Sequence, residues 1–251
     1  MNPASGSGGE AAPAAGPAQV CRWHAVSELE GLHVAAAAHI LGAADRALRA
    51  RHAFHVVLSG GNTPRETYRR LRGAATDWSE WHIYFGDERC LPPEDASRNS
   101  RMAGEAWLDH VPIPASHRHS IPAERDPQEA ALAYAATLRS VGEFDLVLLG
   151  LGEDGHTAGL FPGHAWGEGP GSASVLAVYD APKPPARRVS MSAVRLSAAR
   201  EVLFLVSGNE KRMAVARWRA GDRIPARSIA PAAGVDILVE AALIDDRQAR
   251  S

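Results

Sequence analysis

The sequence predicts an α/β fold: a mostly parallel sheet with helices on both faces. Two observations carry this expectation. Short, apolar, β-rich runs alternate along the chain with stretches of helical periodicity, the order that builds strand–helix–strand units. One of these runs, Asp145 to Leu149, is almost wholly apolar, as a strand covered on both faces requires.

Taken in order, Ser27 and Glu30 have the spacing of a capping box. They open an Ala-rich helix whose apolar face is Leu29, Leu32, Ala36, Ile40, Ala43 and Ala47, ending near Ala50. Phe54 to Leu58 is a strand that runs into Ser59-Gly60-Gly61. A helix then restarts, with Thr63 as its cap, Pro64 in the first turn and Glu66 closing a second box. Trp81 to Phe85 is the next strand, leading into Gly86-Asp87-Glu88-Arg89. Helices follow from Asn99 to Leu108 and from an Asp126-Pro127 start through Leu138. Ser174 to Tyr179, Val189 to Met191, Val202 to Val206 and Ile237 to Val239 complete the strands, and Lys211 to Arg219 is a late helix. The Gly/Pro-rich stretch from Pro162 to Pro170 is a loop too short to divide domains. The expectation is one domain over residues 19–251, preceded by a disordered tail over 1–18 made mostly of Ala, Gly, Pro and Ser.

The totals exclude several classes. A formal net charge of −2 supplies no field that would draw the chain to nucleic acid or to a membrane. The apolar runs are too short to span a bilayer, and the N-terminus lacks the basic start and apolar stretch of a secretion signal. The two cysteines, Cys21 and Cys90, lie far apart and suit a reducing compartment, so a cytoplasmic location is expected. The histidines form no spaced set with acids or cysteines, so no metal site is expected. A Gly-x-Ser-x-Gly elbow is missing, which argues against a serine hydrolase.

Chemistry is expected where strands end, because ligands of open α/β sheets gather at the carboxyl ends of strands. After the first strand, Gly60, Gly61, Asn62 and Thr63 combine close backbone approach with the free N–H groups of a helix start, a site suited to phosphate; a tight turn with no ligand would use the same residues. Asp87, Glu88 and Arg89 suit acid–base work or a polar substrate, and equally a surface salt-bridge cluster. Gly150-Leu-Gly152-Glu-Asp154-Gly-His156-Thr157 brings an acid and an imidazole to the mouth of the buried strand, where histidine is the natural proton acceptor near neutral pH. This stretch formally matches G-x-G-x-x-G. However, His156 to Phe161 followed by Pro162-Gly163 leaves no room for the crossover helix that dinucleotide binding needs. Lys211, in Ser207-Gly-Asn-Glu-Lys211, is one of only two lysines among 27 Lys+Arg, which points to a specific ammonium or to chance composition.

Four segments resemble the 6-phosphogluconolactonase family in order and spacing: Ser59-Gly-Gly-Asn-Thr-Pro64, Gly86-Asp-Glu-Arg89, Gly152-Glu-Asp-Gly-His-Thr157 with Leu160-Phe-Pro-Gly163, and Ser207-Gly-Asn-Glu-Lys211. The chain departs from the family's pattern at Gly159 and Arg98, where serine is common. The resemblance implies a Rossmann-like sheet and hydrolysis of 6-phospho-D-glucono-1,5-lactone without metal or cofactor. It implies His156 as the general base, with Asp154 and Asp87 in the catalytic set. The Gly60 to Thr63 loop, Arg89, Lys211 and, more weakly, Arg188 would hold the phosphate or nearby oxygens. Two rivals remain. Amino-sugar-phosphate deaminases share the scaffold but normally place a glutamate shortly after the histidine, and Thr157-Ala-Gly-Leu-Phe161 has none. A non-catalytic sugar-phosphate sensor would need a DNA-binding module, for which the tail is too short and too poor in basic residues.

Overall fold

The computed structural model describes residues 19–245. The tail expected over residues 1–18 lies outside the described residues.

The chain alternates as foreseen: β1 (Cys21–Val26), α1 (Leu29–Arg51), β2 (Phe54–Leu58), α2 (Asn62–Arg69), β3 (Trp81–Phe85), β4 (Asp87–Arg89), α3 (Asn99–Ala106), β5 (Arg118–His119), α4 (Pro127–Leu138) and β6 (Phe144–Gly150). Then come β7 (Val175–Val178), β8 (Arg188–Met191), α5 (Ala193–Ser197), β9 (Ala199–Val206), α6 (Arg212–Ala220) and β10 (Val235–Glu240). Seven strands make one sheet in the order β1-β10-β9-β6-β2-β3-β5, and every neighbouring pair is parallel.

Both faces of this sheet are covered, which explains its apolar strands. Side chains alternate along β9, so Glu201 and Phe204 point to opposite faces. Glu201 is bound by His39 and Arg46 of α1, whereas the Phe204 ring meets Trp218 of α6 with centroids 4.7 Å apart. A parallel strand sandwiched this way has no wet side, and all six residues from Phe144 to Leu149 are buried. A group of large rings seals the β2–β3 side. Trp81 is fully buried, with Phe54 and Trp78 each at 4.7 Å and Trp107 at 5.6 Å. Truncating such a side chain to alanine typically costs about 3–5 kcal/mol.

The departures from expectation are local. The strands at Val175–Val178 and Val189–Met191 do not join the parallel sheet; with β4 they form a separate antiparallel sheet, β4-β8-β7. Asp87–Arg89, expected only as the stretch beyond the Trp81–Phe85 strand, is therefore a strand of its own. Neither edge strand of the main sheet, β1 or β5, stands out in the sequence, because each is short or only half covered by apolar partners. Neither capping box forms. Glu28 occupies the cap position of α1 without a side-chain bond, and Glu30 pairs with Arg70 instead. Gly61 is the cap of α2, Glu66 turns to Arg65 and Arg69, and the Thr63 hydroxyl meets Ser207 Oγ at 2.6 Å. The Asp126 cap does form, accepting the Gln128 N–H at 2.9 Å.

The strand order fixes where a crevice must open. From β2 the chain builds outward through β3 to β5, then returns to β6 on the other side of β2 and builds the opposite way through β9 to β10. The direction reverses between the neighbours β2 and β6, so the loops leaving their carboxyl ends diverge.

Candidate active site

A cavity of about 200 Å³ lies at that divergence. Of the residues expected from the sequence, it brings together Gly60, Gly61, Asp87, Arg89, His156, Arg188 and Lys211. Asn62 and Thr63 do not line it, and Asp154 stands behind His156. A larger cavity, about 450 Å³, lies beyond α3 around Arg98, Arg101 and Arg118. Its arginines are already matched by Glu124, Glu105 and Asp109.

The loop after β6 holds the imidazole. Asp154 Oδ1 lies 2.5 Å from His156 Nδ1 and also accepts the His156 backbone N–H at 3.1 Å. Burial alone would raise the Asp154 carboxyl. The bonds from the His156 ring and backbone outweigh it and bring the group down to about 2, so it is a carboxylate at neutral pH. A carboxylate at Nδ1 fixes the tautomer that carries its proton there and leaves Nε2 as the free acceptor. The Phe161 ring, 4.8 Å away, packs against the imidazole. Gly152 is needed for this approach: a Cβ there would lie 2.0 Å from His156 Nδ1.

The opposite wall comes from β4 and α3. Glu88 is fully buried and accepts the backbone N–H groups of Arg89, Asn99 and Ser100 at 2.7–2.8 Å, pinning the first turn of α3. Asn99 then donates Nδ2 to the carbonyl and Oδ1 of Asp87, at 2.9 and 3.0 Å. Its other face meets Gly60, where a Cβ would sit 1.9 Å from Asn99 Oδ1. Burial pushes the Asp87 carboxyl up, against the pull of the Arg188 guanidinium 3.8 Å away. Arg188 is itself wrapped by the carbonyls of Lys183, Pro184 and Pro185, so Asp87 already offsets its charge. Arg89 donates Nη1 to the Ser97 carbonyl at 2.7 Å and keeps a buried Nε with no partner among the described residues, and Lys211 Nζ lies 3.6 Å from Glu210 with the charge of Glu153 also near it. Those two cations are the better placed to receive an external anion, beside the α2 terminus.

Asn99, Ser59, Thr157 and Ala158 also line the cavity and were not singled out from the sequence. The start of α3 at Asn99 was legible, but nothing in the sequence says that this helix start faces β2.

No cluster of three or more His, Cys, Asp or Glu is arranged to hold a metal ion among the described residues. Nor is any described helix long and apolar enough to cross a membrane.

A doubly covered parallel sheet, with an acid–imidazole pair and two cations at its switch point, defines an α/β protein equipped to act on a small anionic ligand. The comparisons narrow this. Residues 27–238 match the family described as glucosamine-6-phosphate isomerases/6-phosphogluconolactonase, and the chain belongs to that family. It is 36% identical over 217 residues to the 6-phosphogluconolactonase of Mycobacterium leprae, spanning 81% of this chain and 87% of that one. It is 37% identical over 218 residues to that of Streptomyces coelicolor, spanning 80% and 82%. The solved structure of the Trypanosoma brucei 6-phosphogluconolactonase superposes with a TM-score of 0.80 at 25% identity, covering 90% of this chain and 98% of that one.

Proposed function

We propose that this protein hydrolyses 6-phospho-D-glucono-1,5-lactone to 6-phospho-D-gluconate, with His156 as the general base. The observation that carries the reading is the Asp154–His156 pair opening onto a pocket that holds Arg89 and Lys211. The names of the curated relatives support the same choice within a family whose description also covers isomerases. The stretch after His156 contains no acid to manage ring opening of an amino sugar, which weighs against the deaminase.

In this mechanism Arg89, Lys211 and the N–H groups of Gly60 and Gly61 hold the phosphate, and the ring is fixed by its remote end. A δ-lactone is already an activated ester, so binding energy goes chiefly into positioning. His156 Nε2 takes a proton from water as the oxygen attacks C1; general-base assistance of this kind supplies about 10²–10⁴-fold. Asp154 holds the ring and steadies the imidazolium that forms. Asp87, held in place by Arg188 and Asn99, places a second carboxyl near the imidazole. The reading takes residues 19–251 as one domain working in the cytoplasm, with the sugar phosphate as partner and no nucleic acid.

The test compares opening of lactone generated in situ, with and without protein, beside His156→Ala. The wild type should exceed the spontaneous rate, and the variant should lose at least about 10²-fold. Equal rates for the two proteins would remove His156 from the mechanism. Ammonia released from glucosamine-6-phosphate would select the deaminase.

A further inference from the structure

We infer that the backbone N–H of Ala158 is the donor that receives the oxyanion when water adds to the lactone carbonyl, a step that rests on the reading of His156 as base. Residues Thr157 to Leu160 make a tight hairpin turn, closed by Leu160 N–H on the Thr157 carbonyl at 2.9 Å. Ala158 takes the first corner with φ +47°, a left-handed conformation that residues with a Cβ avoid. Strain of this kind persists only where the surroundings over-determine it.

Here they do. Thr157 is buried and its hydroxyl donates to the Gly150 carbonyl at 2.8 Å. On the other side Gly159 N–H donates to Ser190 Oγ at 3.0 Å, and a Cβ on Gly159 would lie 2.8 Å from Ser190 Cβ. The turn is thus clamped at both shoulders.

Three of its four N–H groups are taken: Thr157 and Leu160 bond each other's carbonyls, and Gly159 bonds Ser190. The N–H of Ala158 has no acceptor among the described residues, and Ala158 lines the cavity two residues from His156. Ala158 is half-buried, and a free donor fixed at the wall of a reaction pocket is available to charge that develops during reaction. Arg188 is a poorer receiver, because Asp87 already offsets it.

The step balances as follows. The water oxygen bonds to C1 and its proton passes to His156 Nε2. The carbonyl π pair moves onto the exocyclic oxygen, which faces Ala158 N–H. Collapse restores the carbonyl, breaks the bond from C1 to the ring oxygen, and returns the proton from His156 to that leaving oxygen.

Replacing Ala158 by L-lactate, an amide-to-ester exchange, removes this N–H and keeps the side chain. Steady-state opening of the lactone should show kcat lowered about 10²-fold with KM within about twofold. The same exchange at Leu160 removes only the turn-closing bond and serves as the comparison. Equal losses at the two positions, or kcat at position 158 within about threefold of the unmodified protein, would overturn the assignment. Spontaneous-rate behaviour of the unmodified protein would instead remove the lactonase reading itself. Should the ester at 158 not fold, the amide proton of Ala158 in the unmodified protein is followed by NMR on addition of 6-phosphogluconate. A downfield move larger than that of Leu160 supports the assignment, and an unmoved signal refutes it.

Discussion

At the carboxyl end of β6 the imidazole of His156 has a carboxylate at 2.5 Å and opens onto a cavity. Near the amino ends of β2 and β3, four other imidazoles lie mostly against rings, with His55 Nδ1 also 3.3 Å from the Tyr84 hydroxyl. His55 stacks on His82 at 4.6 Å, His82 on His117 at 3.9 Å, and His119 on Tyr84 at 4.5 Å. The sequence left these histidines scattered; the parallel register places His55 beside His82 and Tyr84 beside His119. His117 Nδ1 and His119 Nε2 are buried without a hydrogen-bond partner. Burial, reinforced by the neighbouring imidazoles, pulls His82 down to about 4, and burial likewise lowers His55 and His119. One side chain therefore sits in two settings. His156 has an acid behind it and a cavity before it, whereas burial among stacked rings holds His55, His82 and His119 below the usual imidazole range.

The comparison can be broken most decisively at His156. His156→Ala should lower kcat by at least about 10²-fold and leave acid unfolding above pH 4 as it is. If a His82 substitution cost as much activity, the division between the two groups would fail. Asp154→Asn should come next. The amide can hold the ring with the wrong nitrogen protonated, and kcat should fall by about 10²-fold with KM little changed. Lys211→Ala should act mainly on binding, raising KM by about 10-fold, the scale of one charge-assisted hydrogen bond; an unchanged KM would take the ammonium out of the phosphate site.

The smallest effect sharpens the stack. A histidine whose folded value lies below its unfolded value of 6.5 binds its proton more readily in the unfolded chain. Its contribution is intact above about pH 6.5 and is lost as pH falls toward 4. Thermal midpoints should therefore decline across that window, and His82→Gln should flatten the decline by a few degrees at most. Asp154 follows the same sign in a lower window. Its folded value of about 2 lies below 3.8, so its contribution holds above about pH 3.8 and disappears as pH falls toward 2. A wild-type midpoint that stays level from pH 6.5 to 4 would contradict the account of the stack.

Much of the fold was legible because its signals are local. The apolar run at Asp145–Leu149, the Gly-Gly turn after Leu58 and the Asp126 cap each depend on neighbours within a few residues, and each stands as read. Arg89, His156 and Lys211, each read as a candidate near a strand end, line one cavity, with Asp154 bonded behind His156. What failed depended on choices between partners. Glu30 and Glu66 had the right spacing for caps but found arginines at hand, and an ion pair replaced the intended bond. Asp87–Arg89 does not read as a strand because it exists as one only through pairing with Arg188–Ser190, about a hundred residues away.

Composition, periodicity and short motifs thus determined an alternating α/β chain and the candidate residues at its strand ends, since these are properties of residues and their immediate neighbours. Tertiary structure alone decided that Asn99 locks Asp87, that Arg188 is spent on that carboxylate while Arg89 is not, and that four distant histidines stack. Each of these is a contact between segments far apart in the chain, set by strand order and register, which no local pattern encodes.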